Sequence, residues 1–270
     1  MADKDLAGRK AIVTGSATGL GRSIALRLAE RGADVIINCT RSVADGEATV
    51  AACNEAGAQA QLVAADVSTD EGARKLADAA SAWGRLDILV NNAGITRHAR
   101  DHSDLDALSR DDFLDTYAVN VAGPFLVMQA CKPLMVKAFE QTGRASTVLN
   151  ISSIAGVTGI GSSVAYAATK GALNTMTLSL ARALAPAIRV NAVCPGFIGT
   201  RWFKDEMGAE QYERLEASVA RSTPLNAASG PDDIADSAMF FLADASRHVT
   251  GETLLVDAGT HLGYAPLAAR

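Results

Sequence analysis

Tyr166 and Lys170, four residues apart in Tyr166-Ala167-Ala168-Thr169-Lys170, are the side chains whose types and spacing point most directly to chemistry. On a helix they share one face, a turn apart. A phenol ordinarily titrates near 10, too high for acid–base work at neutral pH. A neighbouring ammonium favours the phenolate and lowers that value. Taken alone, such a pair reads equally well as an amphipathic side chain beside a solvated lysine. Ser153 lies thirteen residues before Tyr166, at the end of Asn150-Ile151-Ser152-Ser153, and a hydroxyl there can donate a polarising hydrogen bond to a carbonyl. Its neighbour Ser152 is the competing candidate for that role.

A second constellation lies near the start of the chain, in Thr14-Gly15-Ser16-Ala17-Thr18-Gly19-Leu20-Gly21. Glycines between a first strand and a first helix let the backbone turn tightly and approach a pyrophosphate. The helix N-terminus then meets the anion with free N–H groups and its dipole. A lone glycine cluster would be a simple turn; its place between strand and helix favours a nucleotide.

The elements that position these groups are legible as short β-branched runs separated by helical periodicity. Strands are expected at Lys10–Thr14, Asp34–Cys39, Ala60–Ala64, Leu86–Asn91, Ser146–Ile151, Ile188–Cys194 and Thr253–Val256. Their apolar character without alternation suits strands buried on both faces. Gly21–Arg31, Ser42–Ala56 and Asp70–Trp83 carry apolar residues at helical spacing, and Gly32 and Gly57 follow the first two as C-terminal stops. Alternating strand and helix predicts an α/β fold, a single Rossmann-like doubly wound domain of about seven parallel strands with helices on both faces. Ligands of such sheets bind at the carboxyl ends of the strands. Ile95–Ser109 and Phe197–Ser229 read as long irregular segments over that face. No linker-like stretch interrupts the chain, so residues 1–270 are expected to form one domain.

The glycine spacing matches T-G-x-x-x-G-x-G, and here the sequence resembles the short-chain dehydrogenase/reductase family. Further matches follow in order along nearly the whole chain: Asp66-Val67, Asn91-Asn92-Ala93-Gly94, Asn120, Ser153, Tyr166 with Lys170, and Pro195-Gly196 with Thr200. Asn-Ile-Ser-Ser-Ile-Ala-Gly and Pro-Gly-Phe-Ile place the nearest resemblance in the 3-oxoacyl-carrier-protein reductase-like branch. The resemblance implies a cofactor half over roughly 8–95 and a catalytic and substrate half over roughly 96–270. It implies hydride transfer between nicotinamide C4 and a ketone or secondary alcohol, with a 3-oxoacyl thioester as a lead. Ser153 would polarise the oxygen, Tyr166 donate the proton, and Lys170 orient the nicotinamide ribose; the positive nicotinamide ring would further favour the phenolate. Asn120 would hold a water relaying protons to Lys170, although by itself it reads equally as a polar break in a helix. The cofactor would contact Gly15, Ser16, Thr18, Gly19, Leu20 and Gly21 on the first loop. Thr40, Arg41, Asp66 and Val67 would surround its adenosine. Asn92, Ala93, Gly94, Tyr166, Lys170, Pro195, Gly196, Ile198 and Thr200 would complete its site.

Cofactor preference rests on Ile37-Asn38-Cys39-Thr40-Arg41. Cys39 stands where NAD-dependent relatives carry an aspartate that accepts from the ribose 2′-OH, and Arg41 can pair with a 2′-phosphate. Thr18 is neutral where many NADP-dependent relatives are basic. NADP(H) is therefore expected in preference to NAD(H). Two alternatives stand beside this reading. One is an NAD-dependent secondary alcohol dehydrogenase of sugar or steroid type; the other is a catalytically silent nucleotide-binding sensor or scaffold, for which an intact Ser153, Tyr166 and Lys170 would be superfluous.

Composition narrows the remaining classes. Of 270 residues 49% are hydrophobic and 20% charged, which suits a large core. A net charge of −5 offers no footprint for a phosphate backbone, so nucleic acid is not expected as a partner. The four cysteines, Cys39, Cys53, Cys131 and Cys194, are scattered and read as free buried thiols. No signal peptide or membrane span is expected, which leaves a cytoplasmic protein. His98 and His102 lie four apart but lack companion ligands, so no metal is expected and their segment reads as a solvated loop at the mouth of the site. That loop looks a few residues longer than in the carrier-protein reductases. Arg201-Trp202-Phe203 and Met207 fall where a substrate-covering segment would lie. The helix Ser163–Ala185, rich in small residues and poor in charge, suits close helix packing, and a homotetramer is expected.

Overall fold

The computed structural model describes residues 4–99, 101–200 and 208–263. Seven strands form one wholly parallel sheet: β1 (Lys10–Val13), β2 (Asp34–Cys39), β3 (Ala60–Ala64), β4 (Ile88–Asn91), β5 (Ser146–Ile151), β6 (Ile188–Pro195) and β7 (Thr253–Val256). Their order across the sheet is β3-β2-β1-β4-β5-β6-β7. The chain therefore winds outward from β1 in one direction and from β4 in the other. That reversal opens a crevice beyond the carboxyl ends of β1 and β4, where ligands of open α/β sheets bind.

Register explains which side chains face which layer. Ile12 pairs with Ile36 and Leu89, and these point with Val148 and Val190 toward one face. There they meet Leu76 of helix α3 (Asp70–Ser81), and Val127, Cys131 and Met135 of α5 (Gly123–Thr142). Ala181 of α7 (Val164–Leu184) joins the same layer. Ala11, Val13, Val35, Ile37 and Val90 point the other way, onto α1 (Gly19–Glu30) and α9 (Pro231–Leu242), whose Leu28 and Leu242 are fully buried. The inner strands are buried on both faces, as expected. The edge strand β3 differs, because Gln61 and Ala64 are exposed where no neighbouring strand or helix covers them. Helix α2 (Val43–Glu55) closes that end of the sheet, with Gly46 directly over Leu62.

Gly32 and Gly57 take φ of +92° and +93° after α1 and α2, the left-handed stop their positions suggested. The two segments expected to be irregular are only partly so. The first holds a short 3₁₀ turn at Leu105–Ala107; the second holds a full helix, α8 (Ala209–Ser222). Strong helix formers such as Glu210, Gln211, Glu213 and Leu215 account for α8, and Tyr212, Leu215 and Val219 recur at helical spacing along its half-buried face, although none of its residues is fully buried. Between α4 (Arg110–Tyr117) and α5 the helix makes a π-helical turn over Ala118–Ala122, so Arg110–Thr142 is continuous for 33 residues. This run is long and apolar enough to span a bilayer by composition. Here it is a core helix, with seven α5 residues buried against the sheet and α3. All four cysteines are free and buried, as expected.

Candidate active site

The loop after β1 is stitched to the turn after β4. The Thr14 hydroxyl accepts from Asn92 N and Ala93 N, both at 3.0 Å, and donates to Val90 O at 3.3 Å. Asn92 Nδ2 returns two bonds of 2.9 Å to the carbonyls of Thr14 and Gly15. This closeness requires glycine. At Gly15, φ is +60° and a Cβ would sit 2.8 Å from Ala93 Cα; at Gly21 it would sit 2.5 Å from Asn92 Nδ2. The backbone thus forms a thin cradle at the start of α1, where Thr18 is exposed and makes no side-chain cap, Gly19 follows at φ +58°, and Leu20 turns inward. First-turn N–H groups left without a cap suit a pyrophosphate, so the residues present fit a dinucleotide.

Two features of this cradle depart from the sequence reading. Ser16 is fully buried, its hydroxyl donating to Val13 O at 2.6 Å and accepting from Asn38 N at 3.0 Å. Its side chain braces the loop from behind and offers no hydroxyl to a ligand. Asn38 was not among the expected site residues, yet its Oδ1 accepts from Gly15 N at 3.1 Å while its Nδ2 donates to Val63 O and Ala65 O at 3.0 Å. A lone amide inside the apolar run of β2 was the available signal, since a buried amide must find partners. Beyond it Cys39 is buried and its thiol pushed up by desolvation, whereas Thr40 and Arg41 are exposed. The Arg41 side chain has no hydrogen-bonding or ionic partner among the described residues. The Asp66 carboxylate is exposed and accepts from Ser68 N and Oγ at 2.9 and 2.7 Å; Val67 is buried against Gly123.

On the opposite wall, Ser163 caps α7 by accepting from Tyr166 N at 3.1 Å, which fixes where the helix begins and so where Tyr166 and Lys170 emerge. Lys170 is 4% exposed; its Nζ lies 5.5 Å from the Tyr166 ring centroid and donates to Ile151 O at 2.8 Å. Burial lowers Lys170 to about 8, a shift that the nearby Cys194 opposes only slightly. Tyr166 is raised from its ordinary value by burial, and a hydrogen bond with Ser153 works against the rise. The expected lowering by Lys170 does not arise from these residues alone, because the ammonium points to a carbonyl and the phenol is desolvated. Ser153 Oγ accepts from Ala155 N at 3.1 Å, while Ser152 Oγ is buried and donates to Lys170 O at 3.2 Å. Ser152 is thus turned to the α7 backbone, while Ser153 is the serine that acts on the phenol.

Asn120 sits in the π-helical turn, so the helix break and the site residue are the same feature. Its Oδ1 accepts from Ile95 N at 2.8 Å, and its Nδ2 donates to Ile95 O at 2.9 Å and Thr169 Oγ1 at 3.1 Å. It pins the loop after β4 to α7. Gly94 makes room for this, since a Cβ there would lie 3.2 Å from Asn120 Oδ1 and 3.7 Å from Lys170 Nζ.

A cleft of about 850 Å³ takes in the Tyr166 wall and reaches the glycine loop at Leu20, whereas Gly15, Gly19, Gly21, Thr40, Arg41, Asp66 and Val67 do not line it. Leu20, Asn92 and Gly94 line its nucleotide side, and Ser153, Tyr166 and Lys170 its inner wall. Pro195, Gly196, Ile198 and Thr200 follow β6 along the floor, with Thr200 Cγ2 3.7 Å from where a Cβ on Gly19 would be. His98 also lines the cleft; His102 bonds Gly161 O at 3.1 Å, and no group of three metal-ligating side chains occurs among the described residues. Arg201, Trp202, Phe203 and Met207 lie outside the described residues.

The lowered Lys170 has a thermodynamic signature. Between about 8 and the ordinary 10.5 the folded chain binds fewer protons here than the unfolded chain, so stability rises with pH across that interval. Below it both states are protonated and the cost of the buried charge is fully present. Urea unfolding at pH 7 and pH 11 should show a gain, on the order of 3 kcal/mol, in wild type relative to Lys170→Met. Parallel pH profiles for the two proteins would refute the buried-charge account.

Comparison with known proteins places this geometry. A family model described as enoyl-(acyl carrier protein) reductase matches residues 15–261. The chain is 34% identical over 256 residues to 3-oxoacyl-[acyl-carrier-protein] reductase FabG of Staphylococcus aureus, covering 94% of this chain and 98% of that protein. It is 35% identical over 262 residues to L-rhamnose 1-dehydrogenase (NAD(P)(+)) of a Sphingomonas strain, covering 96% and 98%. The solved Pseudomonas aeruginosa RhlG/NADP active-site complex superimposes with a TM-score of 0.86 at 32% identity, covering 97% and 99%. With the glycine cradle, the Ser153–Tyr166 pair and these matches over nearly its full length, the chain belongs to the short-chain dehydrogenase/reductase family.

Proposed function

We propose that this protein is an NADP(H)-dependent ketone reductase that works through Ser153, Tyr166 and Lys170 in a single domain, its cofactor half over roughly 8–95 and its catalytic half over roughly 96–270. Oxidoreduction between ketones and secondary alcohols is the activity of its family relatives. The observation that carries the reading is the convergence of Ser153, Tyr166 and Lys170 on the cleft that reaches the glycine loop at Leu20. A nicotinamide cofactor held at the cradle of Gly15, Gly19 and Gly21 would supply the hydride for the carbonyl carbon. Ser153 donates a hydrogen bond to the carbonyl oxygen and aligns it with the Tyr166 hydroxyl. Tyr166 passes its proton to that oxygen as negative charge develops there; burial makes it a weaker acid, but an alkoxide is far more basic than a phenolate, so the transfer still runs downhill in the reductive direction. Lys170 holds the nicotinamide ribose and supplies positive charge beside the phenol. Asn120 fixes the loop at Ile95 and keeps the space beside Lys170 through which a water resupplies the proton. A 3-oxoacyl thioester is the leading substrate by analogy with the carrier-protein reductase. The rhamnose dehydrogenase supports a secondary reading as a sugar dehydrogenase, and a silent nucleotide binder would have no use for the Ser153–Tyr166 pair. No metal and no nucleic acid take part, and the reducing cytoplasm suits four free thiols.

The first test is on the proton donor. Tyr166→Phe should lower kcat by about 10²–10⁴-fold, read by loss of reduced-nicotinamide absorbance over a ketone panel, with cofactor binding retained. Half of wild-type turnover would sink the assignment. Ser153→Ala should cost far more than Ser152→Ala.

NADP preference rests on Arg41, exposed beyond Cys39 and close to where a ribose 2′-phosphate would lie. A charge-assisted pair contributes about 1.5–3 kcal/mol, so Arg41→Ala should raise KM for NADPH roughly tenfold to a hundredfold and barely change that for NADH. Cys39→Asp should push the same way by repulsion. Equal losses with both cofactors, or a wild type that already favours NADH, would overturn the preference.

The assembly proposed is a homotetramer. Helix α7 leaves Leu178 50% exposed among small residues, with Ala168 and Thr175 exposed along the same helix, a surface suited to another helix. Light scattering should return about four times the 27.9 kDa chain mass, and a monomer at micromolar concentration would refute it.

A further inference from the structure

The outer half of the cleft, beyond Ser153 and Tyr166, is built from two segments tied to each other. Residues 95–102 and 159–162 are joined by Ala99 N to Ser162 O at 2.8 Å, by His102 Nε2 to Gly161 O at 3.1 Å, and by a bond between the Thr96 and Ser162 hydroxyls. Those ties engage the wall's own polar groups. The Thr96 and Ser162 hydroxyls face each other, and the Arg97 guanidinium is paired with Asp112 at 3.1 Å and Asp115 at 3.6 Å. Among the described residues, the hydrophobic side chains that present most surface to the cleft are Ile95, 38% exposed, and Ile160, 73% exposed. Ile154, Phe197 and Leu215 extend the same apolar lining. Ile160 is held out by its position between Gly159, at φ +74°, and Gly161, with its N–H bonded to Thr158 Oγ1 at 3.2 Å. An exposed isoleucine held in a concave site adds little to folding; covering it stabilises whatever binds there.

Resting on the reductase reading above, we infer that the substrate is a ketone with a bulky apolar body seated against Ile95 and Ile160. A polyhydroxylated body would gain little from the Thr96 and Ser162 hydroxyls, which bond each other. Among the described residues, the Arg97 guanidinium beside the cleft is already held by two aspartates, so a carboxylate on the body gains nothing from it. His98 and Gln211, which also line the cleft, can each give a hydrogen bond to a hydroxyl or carbonyl on the body without altering that preference.

The experiment compares 2-tetralone, the same ketone carrying a ring carboxylate, cyclohexanone and a ketopentose, in wild type, Ile160→Ala and Ile160→Val. kcat/KM is measured with both cofactors, and binding of each ketone to the cofactor complex is measured by calorimetry. Wild type should favour 2-tetralone over each of the other three by about tenfold or more. Burial contributes about 0.8 kcal/mol per methylene, so Ile160→Ala should raise KM and Kd for 2-tetralone about tenfold with kcat unchanged. It should leave cyclohexanone within about twofold, and Ile160→Val should recover most of the loss. Equal or better use of the carboxylated ketone or the ketopentose overturns the inference, as does an Ile160→Ala effect shared equally by both neutral ketones. Selective binding of 2-tetralone without turnover under either cofactor upholds the inference and overturns the reductase reading. Turnover without that selectivity overturns the inference alone.

Discussion

Burying the Lys170 ammonium is a constraint to which much of this site answers. A charge at 4% exposure is costly unless its donors are met, and one is met by Ile151 O at 2.8 Å. That carbonyl lies at the carboxyl end of β5, so α7 must dock at one axial position against the strand. Ser163 sets the start of the helix, and Gly156 lets the short helix Ala155–Thr158 lie against it, since a Cβ there would come 2.5 Å from Lys170 C. Gly94 and Asn120 approach from the other side. The same placement leaves Tyr166 beside Ser153, so the geometry of the proton donor follows from where the lysine can be tolerated.

The second half of the site is organised by hydrogen bonds between loops rather than by a charge. Thr14 and Asn92 join the turn after β1 to the turn after β4 across the point where strand order reverses. Asn38 adds the turn after β2 and the end of β3 to the same network. The glycine cradle is therefore rigid before any ligand arrives, which reduces the ordering cost of binding there. This network and the Lys170 wall meet at Gly94, where a Cβ would lie 3.2 Å from Asn120 Oδ1 and 3.7 Å from Lys170 Nζ.

Much of this was legible in the residues because it depends on backbone requirements that few residue types meet. Gly15 at φ +60° and Gly32 at +92° are examples, and the apolar runs of β1, β2, β4, β5 and β6 are what a sheet covered on both faces demands. What escaped depends on which way a side chain turns. Ser16 and Thr18 share one glycine-rich loop, yet one is sealed inside and the other exposed. Asn38 looked like part of a strand and proved to be a brace. The direction of the Tyr166 shift was hidden because it balances burial against a hydrogen bond, and only the packed structure fixes the first. Helix α8 has Tyr212, Leu215 and Val219 at helical spacing, but the stripe is short and only half-buried, and the segment read as irregular.

That shallow stripe divides the cleft into two mechanical parts. Ile95, Ile160 and the catalytic side chains belong to segments bonded to the sheet or to each other, whereas Gln211 and Leu215 arrive on a helix with no fully buried residue. A helix so placed can open locally at small free-energy cost, while the sheet opens only with the whole fold. Changes on α8 can therefore reshape what the cleft accepts with little effect on the stability of the fold that holds Tyr166 and Lys170. One wall of the cleft can thus vary while the wall that carries Ile160, Tyr166 and Lys170 stays as it is.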